Sequence, residues 1–143
     1  MGCQLKRCSG KEYFCAMELT LLLIGGKWKP IILYRLGQDG TRRFSELKRS
    51  MPSITQKMLT QQLRELENDG IVHRQVYAEV PPKVEYSLTP MGQSVLPLLK
   101  QLCQWGAEYE RQRGVETVED QDDLPCETPA ARTALAGKAL PRQ

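Results

Sequence analysis

The chain has 143 residues, 41% of them hydrophobic and 26% charged, with a formal net charge of +3; this is enough for one small core. No apolar run approaches the ~18 residues that span a bilayer, so no membrane partner is expected. A single histidine, His73, and five cysteines (Cys3, Cys8, Cys15, Cys103, Cys126) supply neither a hydrolytic triad nor zinc-ligand spacing, and an odd cysteine count without a secretory leader argues against a disulfide framework. The expectation is a cytoplasmic protein that is not an enzyme and needs no metal or cofactor.

The charge is unevenly spread. Residues 1–113 hold 17 Lys/Arg against 11 Asp/Glu, and residues 114–143 hold 3 against 6. Between Lys27 and Arg64 there are nine basic residues and only two acids, Asp39 and Glu46. A basic middle followed by an acidic tail suits a polyanionic partner.

Residues 1–14 are polar and lysine-rich and read as a mobile arm. From Cys15 to Ile24 the sequence is apolar nearly all round, a short helix stopped by Gly25-Gly26. Lys29-Pro30 opens a second helix, because the missing proline N–H costs nothing in a first turn. Its apolar positions are Ile31, Ile32, Leu33 and Leu36, and "GQDG" ends it. Thr41–Arg43 reads as a short extended segment, and "FSELKRSM" as a third helix stopped by Pro52.

The fourth helix starts near Ser53–Thr55, with either Ser53 or Thr55 as its cap. Leu59, Leu63 and Leu66 fall on one stripe, whereas Lys57, Thr60, Gln61 and Arg64 share the other side. Every carboxylate of this helix waits until Glu65 or later. An exposed face without acid invites a negatively charged partner. Asp69-Gly70 closes the helix.

The period then changes to two. Val72, Val76, Ala78 and Val80 alternate with His73, Gln75, Tyr77 and Glu79; "PPK" turns the chain; Val84, Tyr86 and Leu88 return it as a second strand. Thr89-Pro90 caps a long last helix with Val95, Leu98, Leu99, Leu102, Trp105 and Tyr109 at helical spacing and Pro97 inside it. That stripe is too wide for one small core and calls for a second copy of the chain. Residues 114–143, acidic and then Ala/Pro-rich, read as disordered. The fold class is therefore mainly α with a small β-hairpin wing (α+β), in the order of a winged helix-turn-helix.

The segments "LIGGKWKPIILYRL", "RRFSELKR", "ITQKMLTQQLRELENDGIVHRQVYAEVPPKVEYSLTPMG" and "CQWG" resemble the HxlR family of bacterial regulators, from about Cys15 to Trp105. The resemblance implies a homodimeric winged-helix transcription factor, repressor or activator, that inserts its fourth helix into the major groove of a palindromic double-stranded operator. Gln56, Lys57, Thr60, Gln61 and Arg64 are then the groove-facing set, since Gln, Arg, Lys and Thr match base edges. Arg42 and Arg43 are expected on phosphate, and Lys83 on the DNA backbone or minor groove from the wing. Val95, Leu99, Leu102 and Trp105 are expected to form the dimer interface.

The resemblance also implies that Cys15, before the first helix, senses an electrophile or oxidant. Its place at a helix start, with Lys11 about one turn away, favours the thiolate. Oxidation is then expected to join it to Cys8, or to Cys103 or Cys126 of the partner subunit. This chain departs from the family in having Ala16 where proline is common. Three rivals remain: a winged helix that binds protein instead of DNA, a thiol enzyme without a general base, and a metal sensor built on Cys3, Cys8 and Cys15.

Overall fold

A computed structural model describes residues 4–116. Strands β1 (Lys6–Cys8) and β2 (Lys11–Tyr13) precede helices α1 (Ala16–Ile24) and α2 (Trp28–Asp39). A two-residue strand β3 (Arg42–Arg43) leads into α3 (Phe44–Ser50) and α4 (Gln56–Asn68). Strands β4 (Val72–Tyr77) and β5 (Lys83–Leu88) form the wing, and α5 (Pro90–Arg113) follows. The chain divides into two units after Gln101, so the winged helix-turn-helix lies within the first and the later part of α5 within the second.

The core of the first unit is built from one stripe of each helix. Ile32, Leu33 and Leu36 of α2 meet Leu47 of α3, Leu59, Leu63 and Leu66 of α4, and Leu99 of α5, all fully or almost fully buried. Ile54, in the turn between α3 and α4, is 1% exposed and pins that turn to the core. The residue spacing that defines the stripe in sequence is thus the spacing that packs.

Helix ends follow their local chemistry. Thr55, not Ser53, caps α4: its hydroxyl accepts the Met58 N–H at 3.1 Å. Arg43 precedes α3 and its N–H donates to the Glu46 carboxylate at 2.8 Å. Thr89 serves two elements at once. Its hydroxyl accepts the Gly92 N–H at 3.1 Å and donates to the Gly70 carbonyl at 2.7 Å, so it caps α5 and ties it to the end of α4. Gly70 has φ +73°, the left-handed conformation that ends α4 and that side chains rarely adopt.

Two segments differ from the sequence reading. Within the expected arm, β1 and β2 pair antiparallel, with Lys6 opposite Tyr13 and Cys8 opposite Lys11; Ser9-Gly10, both at positive φ, make the turn. In the wing, β4 ends at Tyr77, leaving Ala78 and Val80 in the tip; only Val72 is buried and Val76 is 49% exposed. The alternation in sequence records strand pairing, but the hairpin runs past the core and leaves its outer valines uncovered. β3 joins the wing as an edge strand in the order β3-β5-β4, with Arg42 opposite Tyr86 and Arg43 opposite Glu85. Of the expected tail, residues 117–143 lie outside the described residues.

Candidate nucleic-acid interface

Burying Leu59, Leu63 and Leu66 turns the opposite side of α4 outwards. Gln56, Lys57, Thr60, Gln61 and Arg64 are all exposed and line one shallow concavity. The first turn of α4 holds no acid, which leaves its positive dipole end uncompensated. Among the described residues neither Lys57 nor Arg64 makes an ion pair, so both charges are available. Thr60 donates its hydroxyl proton to the Gln56 carbonyl at 2.8 Å and so presents its oxygen as an acceptor.

The one carboxylate near this face is neutralised from behind. Glu65 receives Lys29 of α2 on Oε2 at 2.6 Å and the Gln61 amide on Oε1 at 3.2 Å. The hydrogen bond from Lys29, helped by that from Gln61, holds the Glu65 carboxyl below its ordinary range. Lys29 is only 9% exposed. Sequence reasoning missed this pair. The signal was a lysine within an otherwise apolar helix start, which needs a partner if buried.

The flanking cations are not equivalent. Arg43 is exposed and Arg42 half-buried, with its Nε 4.0 Å from Asp39. Both lie on β3, directly before α3. Lys83 stands at the start of β5, not at the wing tip, and its ammonium is engaged twice. It binds Glu85 at 2.8 Å and sits 4.9 Å from the centre of the Tyr77 ring. The hydrogen bond between Lys83 and Glu85 raises the pKa of the lysine and lowers that of the glutamate. Arg74, exposed on β4, is a further wing cation, one that apolar alternation does not single out.

The geometry is that of a helix-turn-helix whose second helix is basic and acid-free over its first half, followed by a hairpin wing. Known proteins share it. The profile of the HxlR-like helix-turn-helix family matches residues 23–114. The chain belongs to that family. The HTH-type transcriptional regulator YkvN of Bacillus subtilis is 55% identical over 106 residues, covering 74% of this chain and 89% of its own. YtcD of the same organism is 59% identical over 99 residues, covering 69% and 78%. Among solved structures, the redox regulator HypR in its oxidised form superposes with a TM-score of 0.63 at 54% identity, covering 73% of this chain and all of that one. The protein is an HxlR-type winged helix-turn-helix transcriptional regulator.

In this HxlR-type regulator Cys15 occupies the position before α1, exposed, with its thiol making no capping bond. Lys11, expected beside it, pairs with Asp69 at 3.2 Å. Glu18 instead reaches back over the helix start and accepts the Phe14 N–H at 2.8 Å. Cys8 is exposed on β1 and Cys103 half-buried on α5; Cys3 and Cys126 lie outside the described residues.

The expected dimer residues separate by burial. Leu99 is 2% exposed and belongs to the core of its own unit, and Val95 packs against that core. Leu102 and Trp105 are 52% and 71% exposed, and Trp105 stacks on Tyr109 with ring centres 5.8 Å apart. Helical spacing cannot tell which of two apolar stripes meets the home core. In the first unit Met91 and Leu98 are exposed as well, as are Met17, Leu21 and Leu22 of α1. Among the described residues no helix is long and apolar enough to cross a membrane.

Proposed function

We propose that this regulator binds a palindromic double-stranded DNA operator as a homodimer in the cytoplasm, with α4 in the major groove, and has no enzymatic activity. The carrying observation is the single concave face of Gln56, Lys57, Thr60, Gln61 and Arg64, free of acid except for a carboxylate already bound by Lys29. Donors and acceptors of this kind match base edges, while Arg42 and Arg43, on β3 directly before the helix-turn-helix, supply cations for phosphate. The exposed Leu102 and Trp105 supply an apolar surface for the second copy. The test is a mobility shift on the DNA upstream of the gene across a salt series. A protein-binding winged helix would show no salt-dependent DNA affinity.

The second element of the reading is control through Cys15 by a small electrophile or oxidant. It rests on the exposure of that thiol at the start of α1, and on the likeness to HypR, a redox regulator. Treating wild type and Cys15→Ser with diamide, then measuring DNA binding and mapping modified thiols by mass spectrometry, separates sensor from structural residue. Equal response of the two proteins removes Cys15 from the mechanism.

A further inference from the structure

A free glutamine is ambidextrous. Its amide presents an acceptor oxygen and a donor nitrogen side by side, and turning it over reverses their order. In the major groove that order matters, because adenine offers an acceptor, N7, beside a donor, the N6 amino group. A glutamine that reads adenine well must be held in one of its two orientations before it meets the base.

Gln61 is held. Its Nε2 donates to Glu65 Oε1 at 3.2 Å, and a carboxylate only accepts, so the amide oxygen is excluded from that side. The other Glu65 oxygen, Oε2, is bound at 2.6 Å by Lys29, which rises from α2 and is 9% exposed. The two carboxylate oxygens are therefore divided between one anchor and one client. What remains of the Gln61 amide, its oxygen and its second N–H, has no partner among the described residues. Gln61 shares the exposed concavity with Lys57, Thr60 and Arg64.

We infer that Lys29 and Glu65 are positioning residues for base recognition: together they lock the Gln61 amide in the orientation that reads adenine. The lock rests on the reading that α4 enters the major groove, and it adds which base is read and what determines it. Lys29 touches no DNA. It acts by fixing the rotamer of Glu65, which in turn fixes the donor–acceptor order of Gln61. The carboxylate stays ionised for this task because Lys29 and Gln61 both hydrogen-bond its charged form.

Glu65→Gln is the informative variant, being nearly isosteric. Lys29 will hold the new amide oxygen, which leaves an N–H₂ facing Gln61 and turns the Gln61 amide over. The experiment selects a duplex from a randomised pool with the wild-type protein and replaces each base pair in turn. It then compares wild type, Glu65→Gln, Lys29→Met, Gln61→Ala and the double variant Gln61→Ala/Glu65→Gln, with thermal unfolding alongside. Wild type should prefer adenine at one position by roughly 5- to 150-fold, the range of a good bidentate pair. Gln61→Ala should abolish that preference. Glu65→Gln and Lys29→Met should also abolish it; their affinities for unselected DNA should move in opposite directions, since one variant removes a negative charge beside the face and the other uncovers it, and Glu65→Gln should add nothing to Gln61→Ala in base preference. The lock is overturned if both Glu65→Gln and Lys29→Met keep the preference. It is equally overturned if the Gln61-dependent position favours another base, or if Glu65→Gln acts unchanged without Gln61. A wild-type protein that selects no duplex and shows no salt-dependent affinity would instead remove the DNA-binding reading itself.

Discussion

Lys29 Nζ lies 2.6 Å from the Glu65 carboxylate, joining the buried start of α2 to the exposed half of α4. The lysine is almost wholly enclosed, whereas the Glu65 side chain is 41% exposed. Their removal should therefore be unequal. Glu65→Ala leaves a buried ammonium without its partner and should cost about 1–3 kcal/mol, while Lys29→Met leaves a carboxylate that water can reach and should cost less. Urea unfolding of the two variants at neutral pH checks the order.

The same pair sets an acid dependence. Glu65 has its pKa lowered in the folded state from an ordinary value of 4.5, first by Lys29 and then by Gln61. A carboxyl shifted down stabilises the fold above its unfolded pKa and loses that contribution as pH falls through the folded value. Lys29→Met should flatten the fall in stability below about pH 4.5 relative to wild type, as measured by unfolding at a series of acid pH values.

Gln61 and Arg64 point away from the Leu59–Leu63–Leu66 stripe. Replacing either by Ala should cost roughly 1–3 kcal/mol at the specific site, with stability changed by no more than about 0.5 kcal/mol. A double variant that binds the operator at wild-type affinity would remove α4 from base recognition.

Arg42, Arg43 and Lys83 should separate in a salt titration. Removing one cation from a phosphate flattens the log-affinity against log-salt slope by about 0.9. Arg43→Ala should show that change in full, and Arg42→Ala likewise, since its approach to Asp39 is long. Lys83→Ala should change the slope less, because Glu85 already holds its ammonium.

Gly92, in the first turn of α5, is buried against the Ile71 backbone and the Leu88 side chain. A Cβ there would lie 2.3 Å from the Ile71 carbonyl oxygen, a backbone atom that cannot step aside. Gly92→Ala should destabilise by about 1–3 kcal/mol or more through overpacking. Gly37→Ala first meets the Leu96 side chain, also at 2.3 Å, and should be the milder change in calorimetry, because a side chain can shift.

Leu99 and Leu102 stand three positions apart on α5 and should behave oppositely. Leu99→Ala empties a core site and should lower stability by roughly 2–5 kcal/mol. Leu102→Asp, at a position 52% exposed, should leave the fold intact and shift sedimentation from dimer to monomer, weakening DNA binding. A wild type that sediments as a monomer at micromolar concentration would exclude the homodimer.

The order of elements from α1 to α5, the apolar stripe of α4 and the acid-free face opposite it were all determined by sequence alone, because each depends on periodicity and local chemistry, whereas the β1–β2 hairpin was not legible there. A stripe at i, i+4, i+7 buries whatever core it meets, and Thr55 or Thr89 caps a helix through bonds three residues away. Only the tertiary structure decided what involves partners distant in sequence. It gave Lys29 to Glu65 and Lys11 to Asp69, placed β3 on the edge of the wing, and turned Leu99 inwards. The valines of the wing show the same division: their alternation encodes pairing, but burial depends on what lies across from the strand, and beyond Val72 strand β4 is exposed. The charge that offsets Glu65 comes from a residue 36 positions earlier, brought there by the packing of α2 on α4.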